Sequence, residues 1–158
     1  FVFPGSRVQW DSLTDMTDAR QLAKQQLWAA TTPAAANQAF NVTNGDVFRW
    51  KWMWSRIADY FDLPAADYPA SLSPLEKQMA DDQAVWTQIV AENGLKESDI
   101  GRLISPWHTD ADLGRPIEVV TDMSKSRAMG FTAYQASDQA FFDVFDTLRE
   151  MRLIPRRT

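Results

Sequence analysis

The residues best equipped for chemistry fall in one short stretch, Ser105-Pro106-Trp107-His108-Thr109-Asp110-Ala111-Asp112-Leu113-Gly114-Arg115-Pro116. It holds the only histidine of the chain, an aromatic side chain beside it, and the carboxylates of Asp110 and Asp112. Such groups could exchange protons as acid and base. Solvated loop carboxylates explain the same pattern, and one histidine among many Ser and Asp residues will satisfy any loose Ser/His/Asp triad. Lacking a regular period and bounded by two prolines, the stretch suits a loop or short helix that shapes a pocket.

Other chemistries lack their parts. Glycines stand only at 5, 45, 94, 101, 114 and 130, so neither a Gly-x-Gly-x-x-Gly dinucleotide turn nor a P-loop can be assembled. Tyr60, Tyr68 and Tyr134 are followed four residues on by Pro64, Leu72 and Asp138, which rules out a Tyr-x-x-x-Lys pair. With no cysteine and one histidine, neither disulfides nor a zinc or copper site is expected. Asp81-Asp82 reads as a solvated face or a kink, and the Asn41-Val42-Thr43 sequon as chance. No catalytic, cofactor-binding or metal residue is assigned.

The 158 residues suffice for one domain, or one compact part of a larger protein, burying about two thirds of its unfolded surface. A net charge of −5 argues against a dedicated nucleic-acid binder. Arg149, Arg152, Arg156 and Arg157 read instead as the positive end of a helix. No run approaches the roughly 18 apolar residues of a membrane span. A soluble, cytoplasmic protein is expected. The start at Phe1-Val2-Phe3, without Met and inside an apolar run, reads as a cut.

The elements that must position the His108 stretch centre on Phe40 to Asp62. A short strand with Phe40 and Val42 is expected to turn at Asn44-Gly45 and enter a helix. Its stripe of Val47, Trp50, Trp54, Ile57, Ala58 and Phe61 faces a core. Phe48 and Trp52 form a second set, either core or directed at a surface outside this chain. Phe1 to Trp10 reads as a strand broken at Pro4-Gly5. Thr17 or Asp18 caps a helix with Ala19, Leu22, Ala23 and Leu27 on one face, ending before Pro33. Ser73 caps a helix or helix pair that carries Met79, Val85, Trp86, Ile89 and Val90 inward and ends at Asn93-Gly94. Ile117 to Val120 alternates like a strand, Asp122 starts a short helix, and Ser137 caps a last helix burying Phe141, Val144, Phe145, Leu148 and Met151.

Asn41-Val42-Thr43-Asn44-Gly45-Asp46-Val47-Phe48-Arg49-Trp50-Lys51 resembles the Asn-Val-Ser-Asn-Gly-Asp-Val-Phe-Lys-Trp-Lys segment of the progesterone 5β-reductase and iridoid synthase-like enzymes. These are extended short-chain dehydrogenase/reductases within the epimerase/dehydratase superfamily. Phe3-Pro4-Gly5, the Asp15 to Ala30 helix, Asp122-Met123-Ser124-Lys125-Ser126-Arg127 with Gly130-Phe131, and the closing Leu153-Ile154-Pro155 are similar to family segments too.

The resemblance covers nearly the whole chain and implies the C-terminal, substrate-side part of such an enzyme. Residues 1–158 form a single substrate-binding domain in this reading, with the N-terminal Rossmann cofactor half absent. It implies an α/β, mostly helical fragment of four or five helices, whose short strands at Phe1, Phe40 and Ile117 would extend or edge the Rossmann sheet. It implies an NAD(P)H-dependent reductase of an enone or carbonyl compound, favours NADPH over NADH, and leaves this chain alone without cofactor and inactive. Further partners are the N-terminal half and a possible homodimer.

Trp107 and His108 match family aromatics lining the substrate pocket, with Ala111, Leu113 and Gly114 on the mobile segment that follows. His108 replaces an aromatic and would bring a polar, titratable edge into an apolar wall, although a partly exposed loop histidine remains open. Trp107 reads as core packing or substrate contact. Two other functions stay in play: a nucleotide-sugar epimerase or dehydratase, and a non-catalytic interaction domain.

Overall fold

A computed structural model describes residues 1–156, so Arg157 of the C-terminal arginine cluster lies outside the described residues. The fold is mostly helical, as expected, but its strands are not where alternation placed them.

After Pro4-Gly5 the chain enters helix α1 (Arg7–Asp11), not the continuing strand that Val8 and Trp10 suggested. Ser6 supplies the reason: its Oγ accepts from the Gln9 amide at 3.1 Å, so it caps a helix start. A two-residue strand β1 (Leu13–Thr14) pairs antiparallel with β2 (Phe48–Arg49). This is the only ladder among the described residues.

The segments at Phe1, Phe40 and Ile117 join no ladder, which corrects the expected strands. An alternating segment becomes a strand only beside another backbone. Side-chain amides and hydroxyls serve these carbonyls instead. Gln25 donates to the Asn41 carbonyl at 2.7 Å, Thr17 to Val42 at 2.9 Å and Gln9 to Ile117 at 2.8 Å. Helix α2 (Ala19–Thr31) is capped by Asp18, which accepts from the Arg20 amide at 2.7 Å. It therefore turns Gln21 and Gln25 inward and leaves Ala19, Leu22, Ala23 and Leu27 outward, the reverse of the apolar face expected.

Helix α3 (Trp50–Tyr60) starts three residues after Val47, because Phe48 and Arg49 are spent on the ladder. Val47 is exposed, not part of the stripe, and Phe48 is buried against Trp50 with ring centroids 5.4 Å apart. Trp50, Met53, Ile57 and Ala58 are buried, while Trp52 stands in solvent. Met53 and Phe3, both fully buried, anchor the core. Phe3 packs on Trp10, Trp50 and Trp54.

Helices α4 (Leu75–Gln78) and α5 (Gln83–Asn93) form the expected pair, and Gly94 ends the second with φ 61°. Trp86 is buried and Val85 exposed. Helix α6 (Pro106–Leu113) packs on α4. Asp110 of α6 caps α4, accepting from the Leu75 and Glu76 amides at 2.8 and 3.0 Å, so Ser73 is not the cap.

Helix α7 (Ser124–Ala128) follows Asp122, which accepts from the Ser124 amide at 2.7 Å. Helix α8 (Ser137–Glu150) packs on α3 with Phe141 and Phe145 inward, but Val144 and Met151 point outward. Ser137 is the first residue of α8, not its cap. Its amide and hydroxyl donate to Asp46 at 2.8 and 2.6 Å, and its Oγ accepts from Asn44 Nδ2 at 3.0 Å. The other amide atom of Asn44 accepts from the Asp18 amide at 2.6 Å, so the Asn44-Gly45-Asp46 turn joins the starts of α2 and α8.

Candidate functional site

Helix α6 exists because Pro106 at its first turn lacks the amide that the turn would orphan. Its C-terminal end is pinned on both sides. Ser6 donates from its amide to the Leu113 carbonyl at 2.8 Å and from its hydroxyl to the Arg115 carbonyl at 2.9 Å. Gly5 lies so close that a Cβ there would fall 2.5 Å from the Leu113 carbonyl oxygen. The N-terminal segment and α6 are thereby locked together.

This lock leaves an open cleft of about 760 Å³ between α6, α3, α8 and the 14–17 segment. Trp50, Trp54 and Ile57 of α3, Phe141 and Phe145 of α8, and Met16 form its apolar floor. Ser105, His108, Thr109, Asp112 and Arg115 line the α6 side, and Asp15 and Thr121 face the other. A cleft with an aromatic floor and few polar groups suits a small, largely apolar molecule.

The rim groups are partly committed. His108 Nε2 lies 3.3 Å from the Asp112 carboxylate, one helical turn on. Asp15 accepts from the Thr121 hydroxyl at 3.2 Å and from its amide. Arg115 uses Nε on the Asp112 carbonyl at 2.9 Å. The buried indole N–H of Trp54 has no acceptor among the described residues.

Of the site residues expected from sequence, His108 and Leu113 line the cleft. Trp107 does not, and its 63% exposure excludes the core-packing reading. It stacks on the His108 ring, with centroids 5.4 Å apart. Ala111 and Gly114 are exposed and lie off the lining. Asp110 caps α4 and is thus occupied, while Asp112 reaches the rim. Sequence reasoning did not single out Asp15, Met16 or Arg115 as cleft residues, and the α3 and α8 aromatics that it read as core are core residues that also line the cleft. Helical spacing marks an inward face without saying whether a neighbour or a cleft meets it.

A smaller cleft of about 470 Å³ lies between α2 and α8. Its polar edge is the Asp18–Arg20–Asp143 cluster, with Arg20 Nη1 2.8 Å from Asp143. The Arg20 side chain donates to Asp18 and holds that carboxyl below its ordinary range. Asp143 is lowered too, first by Gln139 and then by Arg20.

The site is thus an aromatic-floored cleft on a mostly helical unit with a single two-stranded ladder among its described residues. The chain belongs to the PRISE-like Rossmann-fold domain family, whose match covers residues 1–155. It is 36% identical over 154 residues to an (S)-8-oxocitronellyl enol synthase of Nepeta cataria, spanning 97% of this chain and 39% of that protein. It is 33% identical over 156 residues to a 3-oxo-Δ(4,5)-steroid 5-beta-reductase of Arabidopsis thaliana, spanning 98% of this chain and 40% of the relative. An (S)-8-oxocitronellyl enol synthase of Antirrhinum majus is 36% identical over 155 residues, 98% of this chain and 40% of the relative. The chain thus spans about two fifths of the curated relatives it matches. Among the described residues no helix is long and apolar enough to cross a membrane.

Proposed function

We propose that this chain is the substrate-binding portion of a cytoplasmic, NAD(P)H-dependent reductase acting on an enone or carbonyl compound. The observation that carries the reading is the aromatic-floored cleft, because it sets a mostly polar rim with His108 beside an apolar floor in a space sized for a small molecule. Two relatives are named for such compounds, a 3-oxo-Δ(4,5)-steroid and an 8-oxocitronellyl enol, which supports the same class here.

Hydride would come from a nicotinamide held by an N-terminal Rossmann half, with NADPH preferred. This chain contributes shape: Trp50, Trp54, Phe141 and Phe145 exclude water and orient the substrate, while α6 closes one side. The unladdered segments at Phe40 and Ile117 and the exposed Leu22 and Leu27 of α2 are surfaces for that half, or for a second subunit. An epimerase or dehydratase acting on a nucleotide sugar would want several cations for its diphosphate. The rim carries Arg115 alone, beside Asp15 and Asp112.

The test is a pair of titrations on the purified chain. A steroid enone should quench tryptophan fluorescence saturably, whereas NADPH should show no change in nicotinamide fluorescence. Saturable NADPH binding would overturn the division of labour, and absence of enone binding would overturn the assignment of the cleft.

A further inference from the structure

We propose that Arg115 makes this cleft selective for substrates that carry a carboxylate on an otherwise apolar body. The inference rests on the reading of the cleft as the substrate site and names a feature of its ligand.

Four ionisable side chains line the cleft: Asp15, His108, Asp112 and Arg115. Three face a partner. Asp15 accepts from Thr121, and His108 and Asp112 face each other at 3.3 Å. Arg115 is different. Among the described residues no carboxylate lies within ion-pair distance of it. Its Nε is spent on the Asp112 carbonyl at 2.9 Å, leaving both terminal nitrogens unpaired. That is the pair of donors a carboxylate engages in a bidentate contact.

The Arg115 backbone and the Nε of its side chain are also restrained. Ser6 fixes the Arg115 carbonyl at 2.9 Å, Pro116 restricts the backbone after it, and the Nε bond restrains the side chain. Less side-chain freedom is therefore lost on binding. The floor below is apolar and can take up the hydrocarbon body of a ligand whose anionic end reaches Arg115 at the rim, past Asp15 and Asp112.

The test uses two ligands with one apolar body, 6-phenylhexanoate and 6-phenylhexanamide, titrated into the 158-residue chain by calorimetry at neutral pH. The carboxylate should bind at least tenfold more tightly than the amide. Arg115→Gln should reduce that preference below threefold, with an unchanged far-UV circular dichroism spectrum and melting temperature reporting that the variant is folded. Arg115→Lys should fall between. Equal binding of both ligands by the unaltered chain, or a preference that survives Arg115→Gln, overturns the proposal and leaves the cleft assignment standing. Failure of both ligands to bind overturns the two together.

Discussion

The carboxylate of Asp110 accepts the backbone amide of Leu75 at 2.8 Å, across 35 residues of sequence, and that of Glu76 at 3.0 Å. An aspartate of α6 thus serves as the N-terminal cap of α4, and the wall of the cleft is tied to the helix behind it. Asp110→Ala should cost about 1 kcal/mol, the usual worth of a cap, and Asp110→Asn less, since an amide oxygen caps as well. Chemical denaturation of both variants checks this. Ligand binding to the Asn variant should be unchanged, because Asp110 does not line the cleft.

Gly5, outside the cleft, packs directly against Leu113, which lines it. A methyl group at residue 5 would lie 2.7 Å from the Leu113 Cβ as well as against its carbonyl oxygen. Gly5→Ala should destabilise by about 1–3 kcal/mol, as overpacking does. It should also weaken binding in the cleft, since Leu113 lines it. Thermal melting with a ligand titration separates the two effects.

Acid should weaken the joint between α2 and α8. The Arg20 side chain lowers Asp18 in the folded state, so this group stabilises at pH values above its unfolded value of about 3.9. That contribution is lost as pH falls through the lower, folded value. Asp143 behaves alike. Stability should be flat from neutral pH to about 5 and fall below about 4. Asp18→Asn keeps a capping side chain while deleting the ion pair with the half-exposed Arg20, so it should cost under about 1 kcal/mol at pH 7 and flatten the acid slope. Urea midpoints across pH test both statements.

Phe3 is wholly buried against three tryptophan rings. Phe3→Ala should cost about 3–5 kcal/mol by transfer and cavity terms together. Trp52→Ala on the same helix as Trp50 should cost less than about 1 kcal/mol, because Trp52 stands in solvent. The small Trp52 cost, read from the denaturation midpoint, tests the register of α3, and the Phe3 cost tests the core it packs on.

Much of this chain was legible residue by residue. Asp18 as a cap, Gly94 as a left-handed stop, and the inward face of α3 at Trp50, Ile57 and Ala58 all follow from local rules. So does the family, because the Asn41 to Lys51 match is nearly unbroken. Each signal lies within a few residues of the feature it specifies.

Tertiary structure decided the rest, for two physical reasons. A strand is a relation between two backbones, so alternation at Phe40 and Ile117 could not yield one without a partner, while Phe48 and Arg49 found theirs in Leu13 and Thr14. The unladdered carbonyls then needed buried donors, which is why Gln9 and Gln25 point inward and the leucines of α2 point out. The site is likewise a meeting of distant residues. His108 and Arg115 share a rim over Trp54 and Phe141 only because Ser6 and Gly5 hold the end of α6 in place, and no spacing along the chain records that closeness.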